Sequence, residues 1–283
     1  MALGDDGGAP TLWIVGTPIG NLGDMTPRGI EVMRGVHAIA AEDTRRARQL
    51  LSHFGVPTPP RLISYREENR ERAADEVLAE LAEGRSVALV TDAGMPAVSD
   101  PGDLLVDRCH TAGFRVSPVP GPSAVLAALA CSGLPGRRFT FEGFLSRRAS
   151  HRREHLHELA TERRTMIFLE APNRVTETLG ALAEFLGGHR RACVARELTK
   201  KFEEIRRGTL DELVSWSLER EMRGEFTIVV EGTSDTPPPV SPPSDDELRA
   251  QVTARMATGL TRRQAAKEIA AQYGLDSRAV YDL

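Results

Sequence analysis

Short apolar runs alternate with amphipathic stretches along the first 120 residues, and that alternation leaves few architectures open. The runs lie at 12–15, 38–41, 62–64, 87–91 and 116–119, with helical patterns such as 67–83 and 103–112 between them. Strands separated by helices need crossover connections, so a parallel sheet flanked by helices is expected. Beyond residue 120 the runs 166–169, 193–196, 204–207 and 226–230 follow one another more closely, with helical patterns at 174–186 and 210–221. That spacing predicts a mixed or antiparallel second sheet. Pro118, Pro120 and Pro122 stiffen the chain between the two regions. The reading is an α/β protein with an N-terminal, mostly parallel domain over 11–119 and a second, mixed α/β domain over 120–232.

Local signals sharpen the boundaries. Asp100-Pro101 reads as a helix N-cap followed by proline at the first helical position, and Gly113 closes that helix. Thr209 and Glu212 form a capping-box pair. A proline-rich linker over 233–243 leads to a helical tail over 244–283, where Ser244 with Glu247 and Thr261 with Gln264 repeat the capping-box spacing. Gly274, Leu275 and Asp276 give the tail a helix-turn-helix character. Arg262, Arg263, Lys267 and Arg278 there could meet phosphates in an auxiliary nucleic-acid-binding module, and a packing appendage is the alternative.

The 283 residues carry a net charge of −4, so any nucleic-acid contact must use a local patch rather than a basic whole. Cys109, Cys131 and Cys193 form no CxxC pair, which argues against a disulfide framework and against a zinc site; no metal is expected. Residues 1–10 lack the basic and apolar regions of a signal peptide, and no apolar run nears the ~20 residues of a membrane span. A cytoplasmic location and no membrane partner are expected.

Three Gly/Pro turns stand at strand ends. Gly16-Thr17-Pro18-Ile19-Gly20-Asn21 follows the first run, but it is not GxGxxG, and Pro18 removes a donor that a phosphate cradle would use. It is a ligand turn or a plain one. Asp92-Ala93-Gly94-Met95-Pro96 and Ser99-Asp100-Pro101-Gly102 follow the run at 87–91, where open α/β sheets receive ligands. Carboxylates there would favour a cation or ribose hydroxyls, although Asp100 also has the capping reading. Pro120-Gly121-Pro122-Ser123-Ala124 opens an Ala-rich helix, for close approach of a ligand or of another helix.

Seven strings then fall in order: VGTPIGN at 15–21, AAEDTR at 40–45, TDAGMPAVSDPG at 91–102, PGPSA at 120–124, FEGFL at 141–145, EAPNR at 170–174 and ARELTK at 195–200. Together they resemble the ribosomal RNA small subunit methyltransferase I family of the tetrapyrrole-methylase superfamily, over residues 12–232. The resemblance implies two α/β domains with S-adenosylmethionine in the cleft between them. It further implies a homodimer and methylation of a cytidine ribose 2′-hydroxyl in the decoding region of 16S rRNA, on the small ribosomal subunit. Gly16, Met95 and Asn173 depart from the usual strings, where Pro or Ala, Thr, and His are commoner. Carried over by motif, the cofactor-lining residues are Pro18, Asp92, Ala93, Gly94, Pro96, Val98, Asp100, Ser123 and Ala124, with Phe168, Leu198 and Thr227 from the second domain.

A ribose hydroxyl is a weak acid, so a general base would speed transfer by roughly 10²–10⁴. Glu42 and Asp43 are the nominees for the base or for orienting the ribose, and Asn21 is a further orienting residue; the alternative is an Asp43 N-cap with an Asp/Glu–Arg pair. RNA phosphates would meet Arg45 and a segment with an excess of four positive charges over 137–164, including Arg147, Arg148, Arg152 and Arg153. A solvated charged helix is the other reading of that segment. Arg174 and Lys200 would extend the track. The alternatives to an RNA methyltransferase are a superfamily relative methylating a tetrapyrrole precursor and a non-catalytic ribosome-binding factor.

Overall fold

A computed structural model describes residues 9–233, 245–257, 260–273, 275 and 277–283. The chain forms two compact units, Met1–Thr233 and Ser234–Leu283. Most of the linker at 233–243, together with Ser244, Gly274 and Asp276, lies outside the described residues.

The first region runs β1 (Thr11–Val15), α1 (Pro27–Gly35), β2 (Ala38–Ala41), α2 (Thr44–His53), β3 (Arg61–Ser64), α3 (Arg70–Ala82), β4 (Val87–Val90), α4 (Asp103–Thr111) and β5 (Arg115–Val119). Its five strands are all parallel, in the order β3-β2-β4-β1-β5. β2 and β4 are buried throughout, as expected of strands covered on both faces. Leu12, Ile14 and Leu89 pack against Val77 and Leu81 of α3 and Leu105 of α4. Val15, Ile39 and Val90 pack on the opposite face against Val32 and Met33 of α1 and Leu51 of α2. Each such side chain removed from water contributes roughly 1.5–3 kcal/mol. The chain therefore leaves neighbouring β1 and β4 on opposite faces of the sheet, which opens a crevice beyond their carboxyl ends.

The second region runs α5 (Ala124–Ser132), β6 (Phe139–Phe144), α6 (Ala149–Leu159), β7 (Thr165–Glu170), α7 (Val175–Leu186), β8 (Arg191–Arg196), β9 (Glu204–Thr209), α8 (Leu210–Leu218) and β10 (Phe226–Val230). The sheet order is β6-β7-β10-β8-β9, with β6 and β7 parallel and the other pairs antiparallel. This is the mixed sheet expected. The alternation along β7 and β10 divides the core. Met166, Phe168, Ile228 and Val230 face Leu179, Leu182 and Trp216, whereas Ile167 and Val229 face Ala128 and Leu129 of α5.

Thr209 and Glu212 do form the capping box, although α8 ends three residues before the expected 221. Asp100 is not an N-cap. Helix α4 begins at Asp103 with Gly102 at its cap, because Gly102 takes φ 158°, a backbone conformation that cannot stand inside a helix beginning at Pro101.

The tail comprises α9 (Asp245–Ala257), α10 (Arg262–Tyr273) and α11 (Ser277–Asp282). Leu248, Val252, Ala265, Ala266, Ile269, Ala270 and Val280 form its core. The amide of Gln264 donates to Thr261 Oγ1, and the Thr261 amide donates to Gln264 Oε1 at 3.0 Å, completing that capping box.

Candidate active site

Three loops meet at the carboxyl edge of the parallel sheet because glycines let their backbones touch. A β-carbon on Gly16 would lie 2.7 Å from the α-carbon of Gly121, so the turns after β1 and β5 pack main chain to main chain. The Gly16 amide donates to the carbonyl of Val119 at 3.1 Å. Thr17 and Gly94 exchange amide-to-carbonyl bonds at 2.9 and 3.1 Å, and Thr17 Oγ1 donates to the Thr91 carbonyl at 3.0 Å. The turn after β4 is thus tied to the turn after β1. Its left-handed Ala97 and Ser99 mark a backbone held against its preference, a feature that collects at functional sites.

Between these loops and the edge of the second sheet lies a cavity of about 400 Å³, within the range that holds a small-molecule cofactor. Ala93, Gly94, Val98, Asp100, Ser123, Ala124 and Thr227 line it, as do Ile19, Met95, Ser99, Phe144, Leu169 and Glu225. Pro18 and Asp92 line an adjoining cavity of about 310 Å³ instead. Pro96 is buried and lines neither. Phe168 and Leu198 do not reach the cofactor cavity either; both lie in the core. The period of two in β7 turns Phe168 away and presents Leu169, which pairs with Thr227 across the sheet.

Phe144 is legible in the sequence only as part of a motif string. A bulge between Phe141 and Gly143, with Gly143 at φ 64°, shifts the register so that Phe141 pairs with Ile167 and Phe144 with Leu169. Residues three apart in the chain therefore share one face. The Phe144 ring stands 57% exposed at the cavity wall.

The electrostatics of the cavity are one-sided. Thr91 Oγ1 lies 2.7 Å from Asp100 Oδ2 and 3.0 Å from Glu42 Oε2. Burial, and then the nearby Glu42 and Asp92, push the Asp100 carboxyl up against the pull of the Thr91 hydroxyl. Burial and Glu42 likewise push Asp92 up, and Arg46 at 3.1 Å opposes them. Asp100 has no cationic partner among the described residues. An apolar cavity with a half-buried carboxylate that has no cationic partner suits a ligand that brings its own positive charge and hydroxyl donors. The site therefore fits S-adenosylmethionine on its own chemistry.

The nominated catalytic residues are placed unequally. Asp43 caps α2 through the Arg45 amide and is chelated by the Arg45 guanidinium, with contacts of 2.8 and 3.2 Å. Arg45 holds the carboxyl far below the usual carboxylate range, which leaves it a weak base. The capping alternative describes Asp43, and the same pair occupies Arg45. Asn21 caps a 3-10 turn by accepting from Gly23 N at 2.9 Å. Glu42 keeps its contact with Thr91, while its carbonyl accepts from Arg66.

The basic track divides in the same way. Arg174 points inward, 13% exposed, donating to the Leu145 carbonyl at 2.9 Å and lying 3.5 Å from the buried Glu170. Lys200 Nζ is shared by Glu197 and Glu225, 2.9 Å from each, and its stem covers Gly20. Both cations are thus held by the chain's own carboxylates. Arg152 pairs with Glu177, and Arg153 stands 4.0 Å from Glu184. Arg147 and Arg148 are exposed, at the start of α6, and make no ion pair among the described residues.

The family described as Tetrapyrrole (Corrin/Porphyrin) Methylases matches residues 11–214. The chain is 47% identical over 272 residues to the Ribosomal RNA small subunit methyltransferase I of Synechocystis sp., covering 96% of each chain. It is 52% identical over 227 residues to that of Xylella fastidiosa, covering 80% of this chain and 82% of the relative. Among solved structures, a cobalamin biosynthetic enzyme, cobalt precorrin-4 methyltransferase, superposes with a TM-score of 0.60 at 18% identity, covering 81% of this chain and 98% of that one. Uroporphyrin-III-C-methyltransferase from Thermus thermophilus gives 0.55 at 20% identity, covering 78% and 94%. These two show the fold. The chain belongs to the tetrapyrrole methylase family and, within it, to the ribosomal RNA small subunit methyltransferase I group.

Proposed function

We propose that the chain transfers a methyl group from S-adenosylmethionine to the ribose 2′-hydroxyl of a cytidine in the decoding region of 16S rRNA. The observation that carries this reading is the cavity built by the three glycine-shaped turns, with Asp100 in its wall, in a chain whose relatives are named for small-subunit ribosomal RNA. The solved tetrapyrrole enzymes stand at 18–20% identity, far below those relatives, and this favours RNA over a tetrapyrrole precursor.

When bound, S-adenosylmethionine supplies an electrophilic methyl group whose bond to sulfur breaks as the ribose oxygen takes it. Asp100 and the backbone of residues 93–94 and 123–124 hold the cofactor, and Phe144, Leu169 and Thr227 close it in from the second sheet. Thr91 links Asp100 to Glu42, and with Asp92 they form the acidic cluster that we assign to accept the ribose proton. Asp92 is the carboxylate of this cluster that lines the adjoining cavity. Positioning of this kind supplies up to about 7–11 kcal/mol. Arg147 and Arg148 meet RNA phosphates. A homodimer, which the resemblance implies, completes the reading and is checked by light scattering.

Mapping 2′-O-methyl positions in 16S rRNA from cells with and without this protein tests the proposal. One cytidine in the decoding region should lose its methyl group when the protein is absent; an unchanged map sinks the reading.

A further inference from the structure

The adjoining cavity has a shape and chemistry of its own. Its floor is apolar, from Ala41, Ala47, Leu50 and Val90, and its mouth carries Gln49 and His53. At about 310 Å³ it sits at the small end of ligand pockets, enough for one nucleobase with part of its ribose and too tight for a tetrapyrrole. It neighbours the cofactor cavity along two stretches of chain. Thr17, Pro18 and Asp92 line the one, and the next residues, Ile19 and Ala93, line the other.

The same helix gives the cavity a basic flank. Arg45, Arg46 and Arg48 are exposed along α2. Arg45 is tied to Asp43 and Arg46 to Asp92, whereas Arg48 has no ion-pair partner among the described residues. An apolar slot with an amide and an imidazole at its mouth suits a flat heteroaromatic ring with hydrogen-bonding edges. A cationic helix alongside suits a ring that arrives attached to phosphates.

We infer that this second cavity receives the base of the target nucleotide, swung out of the RNA, so that its ribose lies across the Thr17–Gly94 bridge between Asp92 and the cofactor. This rests on the RNA methyltransferase reading above and adds to it a substrate subsite on α2. Enzymes that modify nucleotides within folded RNA or DNA commonly unstack the target into such a slot, at a cost of a few kcal/mol of stacking. Gln49 and His53 are then the groups placed to read the edge of the base.

The test fills the slot from its rim. Leu22 is 41% exposed and Gln49 is exposed, so a larger ring at either position blocks the mouth without entering the core. Leu22→Trp and Gln49→Trp are assayed for methyl transfer from labelled S-adenosylmethionine to purified small ribosomal subunits lacking the modification. S-adenosylmethionine affinity is measured by calorimetry and folding by thermal unfolding. Each variant should lose roughly a hundredfold in kcat/KM with cofactor affinity and unfolding midpoint unchanged. Values within about threefold of the wild type overturn the assignment of the cavity. Should a tryptophan lower the midpoint, Gln49→Ala decides, because it removes the amide without adding bulk; normal kcat/KM there overturns the inference. A wild-type protein that methylates no RNA overturns this inference and the underlying reading together, whereas an active wild type with active variants overturns the cavity alone.

Discussion

The sulfur of Met95 occupies the space that a β-carbon at position 16 would need, 2.7 Å away. A bare glycine in the first turn makes room for a long side chain in the second. Gly16→Ala should destabilise the protein by roughly 1–3 kcal/mol through overpacking. Adding Met95→Thr should recover part of that loss, and only part, because the Gly121 main chain crowds the same point. Denaturant melts of the two single variants and the double variant measure the coupling; strict additivity would show that Met95 is not the obstacle.

Asp100 ties stability to function through pH. Burial raises its carboxyl above the ordinary range, so the native state holds the proton to higher pH than the unfolded chain does. Its stabilising contribution is present below the ordinary range of an aspartate and is lost as pH rises through the raised value. Asp100→Asn should therefore raise the unfolding midpoint at neutral pH, with the difference closing in acid. The same variant should bind S-adenosylmethionine more weakly at neutral pH. A midpoint that falls at neutral pH would contradict the account.

Phe144 offers a ring to the cavity while leaving more than half of it in water. Phe144→Ala should change folding stability by less than about 0.5 kcal/mol, as surface changes do. Loss of a stacking wall should nevertheless raise the dissociation constant for S-adenosylmethionine roughly tenfold. Calorimetry beside a thermal melt separates the two effects.

The arginines of EAPNR and of the α6 start should part company. Arg174→Ala leaves the buried Glu170 without its cation and should cost roughly 3 kcal/mol of stability. Arg147→Ala with Arg148→Ala should leave the melt unchanged, weaken binding to small-subunit RNA, and flatten its dependence on salt by about one to two ions. Titrations at several salt concentrations read this directly.

Features carried by neighbouring residues are legible in the sequence itself. Thr209-Leu210-Asp211-Glu212 states its capping box within four residues, and Gly113 closes α4 with a left-handed φ of 77°. The strip FTFEGF is harder, because a half-exposed strand with a bulge breaks the alternation that marks strands. Asp100 next to Pro101 imitates a helix cap; the hydroxyl that engages it, Thr91, lies nine residues away.

The order of apolar runs, turns and motif strings determined the two-sheet plan, the family and the three loops that bound the cofactor cavity, because those signals are local and repeat with the period of the backbone. Tertiary contacts alone decided which side chains face the ligand. Leu169 rather than Phe168 lines the wall, Arg174 and Lys200 are claimed by Glu170, Glu197 and Glu225, and Asp43 is claimed by Arg45. A side chain's direction depends on strand register and on distant charges, and neither is written in the residue type itself.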